Sequence, residues 1–149
     1  MIRQLKRYGF NSRFLLFVLV TMVGSLLAGS LVAGLASSLV NGDLGYVLLV
    51  PFVSVVGAGF AFPIAFLLWI LPSALIFSAC MAFLEQTIGM AKAAQCSGAI
   101  TALVAASVAT YVATSFGRDF DGVGSLMFFV GPVAVVIAPW VARKTLVVG

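Results

Sequence analysis

The chain has 149 residues, of which 63% are hydrophobic and only 8% are charged, with a formal net charge of +4. Because a soluble domain carries roughly 25% charged residues, this composition leaves too few polar side chains to cover a surface in water. The charged residues fall in short clusters between long uncharged runs, and about 20 apolar residues cross a bilayer core of roughly 30 Å. The sequence therefore predicts an all-α integral membrane protein with a single transmembrane domain over residues 1–149.

The basic residues are concentrated towards the two ends of the chain. Their positions beside the first and last apolar runs are typical of side chains that face anionic headgroups of the lipid bilayer and fix orientation. No basic domain exists outside the apolar runs, so we expect no nucleic-acid binding. The predicted cytoplasmic, lipid-facing set is Arg3, Lys6, Arg7, Arg13, Arg143 and Lys144.

The first predicted helix covers residues 14–40 and ends at the turn sequence Asn41-Gly42-Asp43. Its apolar run is longer than the roughly 7–15-residue apolar core of a signal peptide, so we expect an uncleaved membrane helix. Small residues recur along it at four-residue spacing. This spacing favours close helix packing, because lipid provides no hydrophobic drive for helix association. The predicted packing residues are Gly24, Ala28, Gly29 and Gly34.

The second apolar segment, residues 46–84, is too long for one simple crossing. It contains no charged residue, and as one straight helix it would be roughly 58 Å long, nearly twice a bilayer core. Pro51, Pro63 and Pro72 each remove a backbone donor and can kink or break a helix. The segment is therefore predicted to be long and proline-broken. It makes either two crossings or one crossing with an extra bent, re-entrant or in-plane piece.

The third and fourth predicted helices cover residues 96–115 and 123–142, and the short polar loop between them predicts antiparallel neighbours. The third helix has a second row of small residues, which we interpret, like the first, as a packing face. Each row serves contacts within the chain or contacts with another membrane subunit. The second row is Gly98, Ala102, Ala105 and Ala109.

The distribution of basic residues favours four crossings over five. With four crossings, every basic residue except Arg118 lies on the N-terminal side of the membrane; with five, Lys92, Arg143 and Lys144 move to the other side. Because Lys and Arg are enriched in cytoplasmic loops, we expect about four transmembrane helices with both termini in the cytoplasm. The Ala-, Val- and Gly-rich composition points to a bacterial inner membrane.

The sequence provides few groups for chemistry. It contains no His, and Glu85 is its only Glu. Proton relays place an acid or a His inside the bundle, metal sites need clusters of His, Cys or carboxylates, and a nucleophilic Ser or Cys needs a neighbouring base. We therefore expect no catalytic residue, no metal and no cofactor, with Cys80 and Cys96 unpaired.

The proline-broken segment is the best candidate for solute binding. Broken membrane helices expose backbone carbonyls and helix ends that bind solutes in transporters, and hydroxyls on the third helix could line the same space. A structural kink and interhelical hydrogen bonds are the more ordinary explanation of these residues, because membrane helices tolerate Pro and Gly and their hydroxyls bond to neighbouring helices. The candidate cavity or kink residues are Gly57, Gly59, Pro63, Pro72, Ser107 and Thr110.

These observations predict a small non-enzymatic membrane protein. Its role would be that of a structural, accessory or sensor subunit in a homo-oligomer or a larger membrane complex. An oligomeric passive channel or transporter for a small solute is the alternative from another class. A holin-like or toxic membrane effector is a third reading, since such proteins are also small and poor in charge.

Overall fold

A computed structural model describes residues 11–115 and 121–146 of the chain, and helices make up nearly all of these ranges. Each helix contains a stretch that is long and apolar enough to cross a membrane. No strand occurs in the described ranges, so the predicted all-α membrane fold is confirmed. The helices are α1 (Ser12–Asn41), α2 (Tyr46–Ile88), α3 (Met90–Ser115) and α4 (Asp121–Leu146).

The helices form a ring in which each packs against the next, and α4 closes the ring against α1. The contact between α3 and α4 is the most extensive, whereas helices on opposite sides of the ring share little surface. Gly98 lies against Ala142, and Ala106, further along α3, lies against Gly131, earlier in α4. Position therefore rises on one helix as it falls on the other, as expected for the predicted antiparallel pair.

Both described ends of the chain lie at the same end of the bundle as the connection between α2 and α3. Asn11, Met90 and Leu146 line one cavity there. We call this the basic end, because its exposed charged side chains are Arg13, Lys92, Arg143 and Lys144. An even number of crossings, as the sequence predicted, brings the two ends of a chain together in this way.

The connection at the basic end is shorter than predicted. The sequence predicted a gap between residues 84 and 96, but α2 continues to Ile88 and α3 begins at Met90. Only Gly89 separates them, with φ 79° and ψ 159°. Almost only glycine adopts this backbone conformation, so a single residue suffices to reverse the chain. The polar residues around Glu85 and Lys92 therefore belong to the helices rather than to a loop.

Helix α2 is continuous through all three of its prolines, so the predicted break takes the form of a bend. A Cβ added at Gly34 of α1 would lie 2.8 Å from the Tyr46 carbonyl oxygen, and the Phe14 and Phe77 rings are 5.3 Å apart between centroids. Between these contacts α1 rises roughly 30 Å and α2 roughly 45 Å. A straight α2 lying along α1 cannot make both contacts. Pro63, near the midpoint, supplies the usual cause of such a bend.

The bundle has two differently packed halves. The basic half comprises residues 11–26, 70–104 and 133–146, and the distal half comprises residues 27–59, 105–115 and 126–132. Every member of the buried hydrophobic cluster lies in the basic half. Among the described side chains of the distal half, the buried ones are all small: Gly29, Ser30, Ala33, Gly34, Ser38 and Gly131.

Candidate functional site

Three of the predicted small residues allow backbones of this chain to approach one another closely. A Cβ added at Gly29 would lie 2.6 Å from Val130 Cα, and one added at Gly98 would lie 2.9 Å from Ala142 Cβ. A Cβ added at Gly34 would likewise lie 2.8 Å from the Tyr46 carbonyl oxygen at the start of α2. Side chains at these positions would force the helices apart, so these glycines serve packing within the chain.

The other predicted packing residues are less enclosed. Ala102 is buried, whereas Ala28, Ala105 and Ala109 are half-buried. A Cβ added at Gly24 would meet no atom within 4 Å. The row of small residues on α1 therefore contains both an internal contact, at Gly29, and a half-buried position, Gly24, with room for a side chain.

The first part of α2 has no fully buried side chain among those described. Along the outer α2 segment, residues 46–59, every described side chain is half-buried or exposed. Leu48 is 76% exposed and Phe52 is 69% exposed. A helix of this length points side chains in every direction, since one turn takes 3.6 residues. The half-buried residues recur at helical spacing and form one face, whereas the other faces, including Leu48 and Phe52, are exposed. The half-buried face comprises Tyr46, Val47, Val50, Pro51 and Ser54.

The predicted cavity residues are not assembled into one site in the described structure. Gly57 and Gly59 are exposed, and a Cβ added at either would meet nothing within 4 Å. Ser107 is exposed, and its hydroxyl donates to the Leu103 carbonyl oxygen of its own helix at 2.8 Å. Thr110 is half-buried and Pro72 is exposed, while the side chain of Pro63 lies outside the described side chains.

The described members of the predicted basic set lie at one end of the bundle, as noted above. Arg143 and Lys144 stand in the last turn of α4, where cations interact favourably with the helix dipole. The Lys144 ammonium lies 6.0 Å from the centroid of the exposed Trp140 ring, a pairing suited to a membrane interface. Arg3, Lys6 and Arg7 lie outside the described residues.

The basic end also contains a cavity that the sequence did not predict. Its volume is about 210 Å³, and it lies where the start of α1, the turn between α2 and α3, and the end of α4 meet. No periodicity or motif in the sequence indicates this cavity, because its wall is formed by residues from four different helices. The lining residues are Asn11, Arg13, Phe77, Met81, Met90, Ala94 and Leu146.

Hydroxyl groups are enclosed deeper in the basic half. The side-chain oxygens of Thr21, Ser78 and Ser97, on three different helices, are buried without a hydrogen-bond partner. Thr101 is satisfied, because its hydroxyl donates to the Ser97 carbonyl oxygen at 2.7 Å. The interior of the basic half is therefore partly polar, although no formal charge enters its buried cluster.

The described residues offer little for metal or redox chemistry. They contain no group of three His, Cys, Asp or Glu side chains placed to hold a metal ion. Cys80 and Cys96 are both free thiols, as the sequence predicted. Two features remain that could bind another molecule. One is the largely exposed apolar surface of the outer α2 segment, and the other is the basic-end cavity with the cationic side chain of Arg13.

No protein-family model matches the chain, and neither a curated protein nor a solved structure shows detectable similarity to it.

Proposed function

We propose that this chain is a small non-enzymatic membrane subunit that packs against another transmembrane helix. The partner helix belongs to a second copy of the chain, in a homo-oligomer, or to another subunit of a larger membrane complex. The observation that supports the proposal is the outer α2 segment, residues 46–59, which has no buried side chain among those described. Residues 105–115 of α3 share this lack of buried side chains, whereas the distal part of α1 buries Ser30, Ala33 and Ser38.

Exposed apolar side chains alone would not support a partner, because lipid covers them as well as protein does. The glycines are more informative. Gly57 and Gly59 leave open space on the outer α2 segment, and helices in lipid associate where small residues let backbones come close. Gly57 lies roughly 16 Å along α2 from Tyr46, where the segment contacts α1. A second helix could therefore fill the space beside it.

Native mass spectrometry of the protein, purified in mild detergent from its own host, tests the proposal. We expect either a defined homo-oligomer or a stoichiometric second subunit. Gly57→Leu should reduce the assembled fraction at least about tenfold, because the new side chain keeps the partner's backbone away. A purely monomeric protein in the native membrane, shown by crosslinking before extraction, would overturn the proposal.

Gly24→Leu is the matched control. Gly24 also lies in a membrane helix with nothing within 4 Å of an added Cβ, so the substitution adds the same bulk to α1. If the outer α2 segment is the interface, Gly24→Leu leaves assembly intact. If instead Gly24→Leu dissociates the complex and Gly57→Leu does not, the small residues of α1 form the interface and the α2 assignment is wrong.

The membrane and the orientation are part of the same proposal. We place the protein in a bacterial inner membrane with both termini in the cytoplasm. The common location of Arg13, Lys92, Arg143 and Lys144 at one end supports this orientation, because Lys and Arg are enriched on the cytoplasmic side. A fluorescent protein fused after residue 149 should fluoresce, whereas an alkaline phosphatase fused there should be inactive. Phosphatase activity would reverse the orientation.

An oligomeric channel or transporter is the alternative proposal. In it, water in a pore, and not a partner helix, lies against the outer α2 segment. It is favoured by the same open space at Gly57 and Gly59, if water rather than a helix occupies it. Single cysteines at positions 57–63 would then react with water-soluble thiol reagents in intact membranes. Absence of labelling at all of these positions would contradict the channel. A toxic effector would instead collapse the membrane potential on expression.

A further inference from the structure

The cavity at the basic end combines an apolar interior with one cationic side chain. Phe77, Met81 and Ala94 are buried and form its floor, while Arg13 is exposed at its wall. With about 210 Å³, it is smaller than the roughly 300–1,000 Å³ of pockets for drug-sized ligands. It can therefore take a headgroup-sized ligand or the first part of an acyl chain, but not a whole lipid.

The charge around the cavity favours an anion. Within the part of the chain that the structure describes, the Arg13 side chain forms no ion pair, and Glu85 at the same end has an interaction of its own. Lys92, Arg143 and Lys144 are exposed at the same end of the bundle. The net positive potential of this end is therefore not offset by a described carboxylate at the cavity.

The helix directions add to this potential. Helices α1 and α3 both begin at the basic end, and neither has an acidic residue in its first turn. Arg13 and Lys92 stand near the positive ends of these helix dipoles, where cations are unfavourable and anions are favourable. A bound anion would relieve this repulsion between like charges.

We propose that the cavity formed by Arg13, Met90 and Leu146 over the floor of Phe77 and Met81 holds the phosphate headgroup of an anionic phospholipid. The guanidinium of Arg13 would donate charge-assisted hydrogen bonds to the phosphate oxygens, and the apolar floor would accept the first carbons of an acyl chain. A phospholipid carries both the phosphate and the acyl chain in one molecule. It is also at hand, because the basic end lies at the level of the headgroups in a protein that spans the bilayer. This site does not require the proposed subunit partner.

Native mass spectrometry with added lipid tests the site. The protein in mild detergent is titrated with phosphatidylglycerol, with phosphatidylcholine of the same acyl chains, and with inorganic phosphate. We expect one phosphatidylglycerol to remain bound and Arg13→Gln to weaken its binding roughly tenfold, as the loss of a hydrogen bond to a charged group implies. Arg143→Gln is the matched control, because it removes an exposed charge at the same end that does not line the cavity.

Each outcome decides the proposal. Selective loss in Arg13→Gln, with Arg143→Gln unchanged, supports the site. Equal weakening in both variants would mean diffuse attraction to the basic end and would overturn it. Equal binding of phosphatidylcholine, whose phosphate is neutralised by its choline, would show that the net negative charge is not recognised and would overturn the assignment to an anionic lipid. Displacement of the lipid by millimolar inorganic phosphate would assign the site to a free anion. Because lipid binding is measured on each oligomeric species, failure here is distinguishable from failure of assembly.

Discussion

The basic half and the distal half of this bundle are held together by different means. In the basic half, the rings of Phe14, Phe17 and Phe77 form a triangle with centroids 5.3–5.9 Å apart, and they pack with Met81 and small alanines into one buried cluster. In the distal half, contacts depend on glycine and serine. Lipid is as apolar as a leucine side chain, so only close packing can hold helices together there. Packed aromatic rings provide this close packing in the basic half, and close approach of helix backbones at glycines provides it in the distal half.

The difference has a structural consequence for α2, which takes part in both halves. Its second part packs through the buried Phe77 and Met81, whereas its first part approaches α1 at Gly34, next to Tyr46 and Val47, and buries no side chain fully. The region that is packed by large side chains is therefore the natural anchor, and the region that is packed by small ones is where a partner helix can be accommodated.

The largest predicted effect tests the anchor. Phe77→Ala should lower the free energy of unfolding by about 3 kcal/mol, because it leaves a cavity and removes two ring contacts. Unfolding by SDS in mixed micelles, followed by circular dichroism, measures this loss. Phe52→Ala is the control: Phe52 is 69% exposed, so its removal should change the free energy by no more than about 0.5 kcal/mol. Similar losses in the two variants would contradict the division into halves.

A smaller effect tests the distal half. Gly29→Ala should cost about 2 kcal/mol, because the new Cβ would lie 2.6 Å from Val130 Cα and the two helices must move apart. In Gly24→Ala, five residues earlier on the same helix, the added Cβ meets no atom within 4 Å. That variant should gain up to about 1 kcal/mol from helix propensity. The same unfolding assay compares the two, and equal effects would mean that the α1–α4 contact at Gly29 is wrong.

The smallest effects concern the turns at the two ends. Gly89 has φ 79° and ψ 159°, whereas Gly42 has φ 69° and ψ 13°. Asn enters the second conformation but not the first. We expect Gly89→Ala and Gly89→Asn each to cost about 1–2 kcal/mol, Gly42→Ala to cost about 1 kcal/mol, and Gly42→Asn to cost less. If Gly89→Asn proves as mild as Gly42→Asn, the tight turn between α2 and α3 is not as described.

The sequence predicted some parts of this site better than others. The spacing of Gly29, Gly34 and Gly98 correctly marked close approaches, because small residues at four-residue intervals share one helix face. The same spacing also selected Gly24, where an added Cβ meets no atom within 4 Å, because spacing identifies a helix face but not the neighbour that packs against it. The turn at Gly89 was missed because nearby polar residues suggested a longer loop. The basic-end cavity left no signal, as its wall is shared by separate segments.

Composition and charge by themselves determined that this is a helical membrane protein with four long apolar spans, because an apolar segment that must satisfy its own backbone in lipid becomes a helix. The tertiary structure alone decided how the excess length of α2 is used. Three prolines are compatible with a break, a kink or a re-entrant piece, and local propensity does not choose among them. The choice came from two distant contacts, Gly34 with Tyr46 and Phe14 with Phe77, which fix the ends of a long helix beside a shorter one and oblige it to bend.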